Sequence, residues 1–234
     1  MIAREGLHLI LIALATTGIL IVLAARFDSR SLFVISLVFG LLTLFTTFFF
    51  RDPPRACPDD PGILVSPADG RIVAIDSLPD HPWVGGPAIK VSIFLSVFDV
   101  HINRVPATGT VDAVDYNAGE FIAAYHDKAS DVNEQTEIRM TSSDGHRIVC
   151  KQIAGVIARR IVCHLTAGDE VGAGDRFGLI RFGSRTDLIV PADSRIDVTM
   201  GQTVKGCQTV MGYLPGHFTQ ADSGPSEEHR DAGL

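Results

Sequence analysis

Two stretches without a formal charge, Leu7 to Ala25 and Leu32 to Phe50, constrain this chain more than anything else in it. Each runs about nineteen residues, near the length that crosses the hydrocarbon core of a bilayer. The link between them, Arg26-Phe27-Asp28-Ser29-Arg30-Ser31, is short and polar, so the pair reads as an antiparallel transmembrane hairpin with both outer ends on one side. A secretory signal fits the first stretch poorly, because its apolar run is too long and a second span follows at once. Two buried core helices are the competing reading, but adjacent charge-free spans are rare in soluble domains.

Charge divides the chain at the same place. Through Arg55 there are five arginines against Glu5, Asp28 and Asp52, which leaves 15 basic against 24 acidic residues of the 20 and 27 in the chain. An acidic domain gains nothing from an anionic membrane surface, so the hairpin has to hold it there. Nucleic acid is excluded as a partner by the same balance. Arg4, Arg51 and Arg55 lie on the side of the outer ends and Arg26 and Arg30 in the loop, a small bias towards a cell (inner) membrane protein with its domain in the cytoplasm. Cys57, Cys150, Cys163 and Cys207 have no paired spacing and read as free thiols.

Arg51-Asp52-Pro53-Pro54-Arg55 ends the second helix, since proline disfavours helix at the residue before it. Strand patterns follow at 63–65, 71–75, 89–97, 109–114, 136–141, 147–153, 156–164, 177–182, 187–190 and 195–198, with no long amphipathic helix among them. Gly168-Asp169-Glu170-Val171 and Gly201-Gln202-Thr203-Val204 form two similar glycine turns, which point to a compact barrel-sandwich fold. The expected organisation is a hairpin over 1–50, a mainly β domain over 51–213 and a disordered tail over 214–234.

Three polar stations interrupt the β pattern: Asp69 in Ser66-Pro67-Ala68-Asp69-Gly70, His101 in Asp99-Val100-His101-Ile102-Asn103, and Ser184 in Phe182-Gly183-Ser184-Arg185. A carboxylate, an imidazole and a hydroxyl together suit activation of a nucleophile. Taken singly, each is an ordinary turn or strand residue. His81, His101, His126 and His164 lack ligand spacing, so no metal is expected.

The segments Ser66–Gly70, Phe94–Pro106, Asn133-Glu134, Gln152–Gly155 with Ala158–Ile161, and Arg176–Arg185 resemble, in order and spacing, the short form of the phosphatidylserine decarboxylase proenzymes. The likeness covers about residues 50–213. It implies that Ser184 attacks the carbonyl of Gly183 and that the resulting ester eliminates, cutting the chain into a β chain of 1–183 and an α chain of 184–234. Ser184 then becomes a pyruvoyl group, a covalent cofactor that forms a Schiff base with the amine of phosphatidylserine and takes up the electrons of decarboxylation. His101 falls at the family's decarboxylation histidine, and Asp69 at an acid that assists self-cleavage. Where the longer branch has a second histidine this chain has Arg104, so the base for Ser184 is either His101 or Asp69 acting through water. Phe-Gly-Ser-Arg matches the short form, whereas the longer branch has Leu-Gly-Ser-Thr. Arg104, Arg159, Arg160 and Arg185 are candidates for the lipid's phosphate or carboxylate. The partners implied are phosphatidylserine, membrane lipids and the two cleaved chains for each other, with homo-oligomerisation left open.

Two other classes compete. A membrane-anchored lipoyl- or biotinyl-like carrier would use the glycine turns, but Lys205 and Lys90 do not sit at a hairpin tip. A serine hydrolase would need a nucleophile elbow, and no Gly-x-Ser-x-Gly occurs.

Overall fold

The computed structural model describes residues 1–119, 133–155, 161–181 and 184–218. Helices α1 (Arg4–Arg26) and α2 (Arg30–Phe49) form the hairpin, and both are long and apolar enough to cross a membrane by length and composition. Glu5 in the first turn of α1 and Arg26 in its last complement the helix dipole, which lets the helix run slightly past its charge-free stretch. Ser29 caps α2 by accepting from the Leu32 amide. Between the helices the Thr17 and Thr43 hydroxyls meet at 3.0 Å and satisfy one another away from water. Leu11, Ile12, Val22, Phe33, Val34, Leu41 and Leu44 are all exposed, an apolar outer surface suited to lipid.

The base of the hairpin is fastened to the rest of the protein. The Ala3 amide donates to the Phe50 carbonyl and the Asp52 amide to the Met1 carbonyl, each at 2.8 Å. Phe49 and Phe50 are buried with Val100, Ile102 and Leu179 of the β domain, and each such ring contributes about 2 kcal/mol by leaving water. Gly6 makes this approach feasible, since a Cβ there would lie 2.1 Å from the Phe50 ring. Around that contact runs a chain of ions: His164 and Arg176 on Glu5, then Arg176 and Arg104 on Asp52.

The remaining described elements are strands: β1 (Ile63–Val65), β2 (Gly70–His81), β3 (Gly86–Leu95), β4 (Ile102–Arg104), β5 (Gly109–Asn117), β6 (Gln135–Ser142), β7 (Arg147–Ile153), β8 (Ile161–Cys163), β9 (Glu170–Val171), β10 (Arg176–Ile180), β11 (Ser184–Pro191), β12 (Arg195–Ile196), β13 (Thr203–Val204) and β14 (Val210–Tyr213). Eight of them make one sheet, ordered β13-β2-β3-β11-β7-β6-β5-β9, and two three-stranded sheets, β1-β14-β12 and β4-β10-β8, complete the domain. The mainly β expectation therefore holds. The two similar glycine turns have a specific use: each contributes a two-residue strand, β9 and β13, and these form the two ends of the large sheet.

Turn 66–70 carries the chain from one sheet to another, because β1 pairs with β14 while β2 pairs with β3. Gly70 permits the crossing: a Cβ there would sit 2.2 Å from the Phe94 carbonyl oxygen. Strand β6 alternates buried and half-buried residues as a one-faced strand should, whereas β11 is buried at every position from Ser184 to Val190. Its place between β3 and β7 explains that burial. Leu64, Ile72, Ile93, Leu95, Ile138, Met140 and Leu188 make up the centre of the core. Packing continues beyond Tyr213, with Leu214 in that core and His217 paired to Asp144; residues 219–234 of the expected tail lie outside the described residues.

The free-thiol reading of the cysteines needs correction. Cys57 and Cys207 form a disulfide across 150 residues of sequence, while Cys150 and Cys163 are free. Cys207 has φ +69°, the left-handed conformation that glycine usually supplies, so a cysteine occupies a glycine-type corner and is tied there to the segment after the hairpin.

Candidate active site

Ser184 opens β11, opposite Leu95 of β3 and next to Arg185, which faces Ile153 of β7. It is fully buried, and its Oγ has no hydrogen-bond partner among the described residues. A buried hydroxyl without a partner is costly, which marks this oxygen as held for some purpose other than stability. Gly183, Arg159 and Arg160 lie outside the described residues.

His101 follows a rigid turn. The Ser96 amide donates to Asp99 Oδ2 and the Phe98 amide to Ser96 Oγ, fixing the connection from β3 to β4. The ring's Nδ1 lies 3.0 Å from the Asp99 carbonyl oxygen. A carbonyl can only accept, so Nδ1 carries the proton and Nε2 is the basic nitrogen. Burial pushes the imidazole down to about 4, outweighing the Asp99 carbonyl that favours the charged form; the Arg51 charge lowers it and that of Asp69 raises it. At neutral pH His101 is therefore an uncharged base. Its ring packs 4.2 Å from that of Phe49 at the end of α2, so the imidazole touches the apolar hairpin.

Strand β10 links the histidine to the chain that leads to the serine. Strand β10 pairs with β4, and the Ile180 amide meets the His101 carbonyl at 3.4 Å. Four residues later the same chain reaches Ser184.

Asp69 is held by Arg55, whose two terminal nitrogens bind its two carboxylate oxygens, and by the Gly206 amide at 2.9 Å. Arg55 also donates to the Gly206 carbonyl at 2.8 Å. The Cys57–Cys207 bond flanks this clamp at both ends, next to Arg55 and Gly206 in sequence. Asp69 thus reaches the imidazole as a charge, positioned by the strap that follows the hairpin.

A buried amide network beside Ser184 escaped the sequence reading. Gln152 Nε2 donates to Asn103 Oδ1 (2.9 Å), and Asn103 Nδ2 donates to Thr186 Oγ1 (3.0 Å). Thr186 is two residues from Ser184, hence on the same face of β11. Asn103 and Gln152 both stand in the motifs quoted above, but nothing in their spacing shows that they meet.

The structure changes the reading of two arginines. Arg104 donates to the Gly174 carbonyl and to Asp52, so it braces the hairpin base. Arg185 is buried, with Nε on Asp187 (2.7 Å) and Nη2 on Ser92 (2.6 Å). Its side chain has no surface to offer a headgroup. Replacing it with methionine takes the guanidinium away from the buried Asp187 carboxylate, and we expect a loss of about 3–5 kcal/mol in unfolding free energy, measured by chemical denaturation. A loss under about 1 kcal/mol would mean that Asp187 is neutralised by another group.

Comparison with known proteins gives concordant similarities. Residues 42–212 match the profile of the family described as phosphatidylserine decarboxylase. A protein from Aromatoleum aromaticum, named phosphatidylserine decarboxylase proenzyme, is 45% identical over 215 residues, covering 92% of this chain and 96% of its own. One of the same name from Desulfotalea psychrophila is 42% identical over 213 residues, with 91% and 96% covered. A third, from Symbiobacterium thermophilum, is 44% identical over 216 residues, covering 92% and 96%.

Proposed function

The chain belongs to the phosphatidylserine decarboxylase family, and on that premise we propose that it cuts itself at Gly183–Ser184 and then converts phosphatidylserine to phosphatidylethanolamine and carbon dioxide. The observation that carries this reading is the fully buried Oγ of Ser184, without a hydrogen-bond partner among the described residues, on the strand that starts four residues after Ile180, whose amide meets the carbonyl of a neutral His101.

A neutral imidazole can take the hydroxyl proton, which a charged one cannot. The Ser184 oxygen then attacks the Gly183 carbonyl; the C–N bond breaks as the C–O bond forms, and the proton passes to the new amine. Loss of the α proton of Ser184 and departure of Gly183 as a carboxylate cut the chain. Water replaces the nitrogen, which leaves as ammonia, and residue 184 is then a pyruvoyl group. Residues present here fit that group: the position is buried, closed by β3 and β7, and the Gln152–Asn103–Thr186 network keeps its end of β11 in place. Once formed, the group supplies the electron sink that decarboxylation of an amino acid headgroup requires. His101 Nε2 then holds or returns the proton at the reacting carbon, and burial around it excludes water.

Phosphatidylserine is available at a bilayer surface, and the contact of Phe49 with His101 supports a site at the base of the hairpin. Arginine placement along the hairpin favours the cytoplasmic face of the cell membrane. The Cys57–Cys207 bond favours the opposite face, since disulfides persist in oxidising compartments. Because that bond links residues on either side of Ser184, the cut chains stay joined until reduced.

The test supplies the purified protein in detergent with phosphatidylserine labelled in its carboxyl group. Labelled carbon dioxide should appear, and prior treatment with a carbonyl-trapping amine such as hydroxylamine should stop it. Release that survives the trap contradicts a ketone cofactor; no release at all contradicts the activity.

A further inference from the structure

We propose that Arg51 binds the phosphodiester of the lipid headgroup, so that the protein grips its substrate with the residue on which the membrane hairpin ends. This rests on the decarboxylase reading above.

Arg51 differs from the other arginines near the site. Arg55, Arg104, Arg176 and Arg185 each pair with a carboxylate. Arg51 has no carboxylate within 4 Å among the described residues; its Nη1 donates to the Phe48 carbonyl (2.9 Å) and its Nη2 to the Phe98 carbonyl (2.6 Å). Those two bonds aim the guanidinium without neutralising it; part-burial disfavours its charge, and Asp69 and Asp99 favour it only from beyond ion-pair distance. A phosphate oxygen would supply a counter-charge in direct contact.

Its surroundings specify where the anion comes from. The guanidinium lies over the Phe48 ring, 3.8 Å from the centroid, at the end of α2. Phe48 is 45% and Phe98 67% exposed, so one open aromatic ring lies against the cation and the residue whose carbonyl aims it carries a second, where the hairpin meets the β domain. Aromatic rings and cations of this kind mark the headgroup level of a bilayer. His101 is three residues beyond Phe98 and packs on Phe49, next to Phe48. The same headgroup can therefore reach both groups.

Phosphatidylserine offers two anions, and the chemistry selects between them. The carboxylate loses its charge as carbon dioxide leaves, so a cation bound to it would stabilise the substrate more than the transition state. The phosphodiester keeps its charge throughout and is the anion a fixed guanidinium can hold without raising the barrier.

The test compares wild type with Arg51→Gln and Arg51→Lys, each checked for self-cleavage to show that the fold is intact. Substrate is a short-chain, soluble phosphatidylserine; glycerophosphoethanolamine, which has the phosphodiester and no carboxylate, is the competing ligand. For Arg51→Gln, KM and the inhibition constant should both rise about ten-fold or more while kcat stays within about two-fold, the pattern of lost uniform binding. Arg51→Lys should recover part of both. A rise in KM with an unmoved inhibition constant would assign Arg51 to the carboxylate and overturn the proposal. So would unchanged constants in both variants, or a fall in kcat alone. If wild type turns over no phosphatidylserine, the enzyme assignment fails separately, and calorimetric binding of glycerophosphoethanolamine still decides on Arg51: lost in Arg51→Gln it supports the site, and retained it overturns it.

Discussion

Ser184→Ala yields one uncut chain that folds and does nothing. Self-cleavage needs the hydroxyl, and the electron sink is made only by that cleavage, so both disappear together. Activity should fall to the uncatalysed background, about 10⁶-fold or more, because the sink accounts for most of the rate enhancement such an enzyme can have. Stability should barely change. Ser184 Oγ makes no hydrogen bond among the described residues, so replacing it with hydrogen leaves no partner stranded and should shift unfolding by less than about 1 kcal/mol. Electrophoresis after reduction, lipid turnover and a thermal melt check the three parts. Cleavage or turnover in a folded Ser184→Ala protein would remove Ser184 from the chemistry.

His101→Asn should retain the fold and lose turnover. The amide can replace the Nδ1 donor to the Asp99 carbonyl but has no basic nitrogen where Nε2 stood. A drop in kcat of about 10²–10⁴ is expected for loss of a positioned acid or base. The same variant settles which group activates Ser184: a cut chain assigns the first proton transfer to Asp69 through water, and an uncut one assigns both steps to His101. Stability in acid supplies a readout that activity does not. The folded histidine titrates near 4 and the unfolded one near 6.5, so between those values the unfolded state binds more protons and stability rises with pH. Wild type should therefore lose about 3 kcal/mol more than His101→Asn as pH falls from 6.5 to 4. Equal acid sensitivity in the two proteins would show that His101 is not buried in its neutral form.

The parts of the structure that depend on local pattern were legible in the sequence. The hairpin follows from charge-free length, and β3, β5, β6 and β7 from alternation; β4, β9, β13 and β14 are too short to establish a period. Contacts over long separations left no such trace. The Arg55–Asp69 clamp, the Cys57–Cys207 bond and the meeting of Asn103 with Gln152 depend on which strands become neighbours. Arg185 is an instructive case. An arginine two residues before an aspartate on a strand shares a face with it, so the pairing that removes Arg185 from lipid contact was available from spacing alone. For Arg51 the sequence carried the opposite cue, a positive charge at a helix end, which spoke to orientation and gave no hint of the carbonyls that aim it.

The central claim is that the chain breaks at Gly183–Ser184 and leaves a carbonyl in place of an amine. Intact-mass spectrometry of the protein purified in detergent and reduced tests it most directly. Two species are expected from the 25.2 kDa chain, of roughly 20 and 5 kDa by length, the smaller starting at residue 184 and lighter than its unmodified sequence by one ammonia. A single species at 25.2 kDa that persists on prolonged incubation would contradict the account.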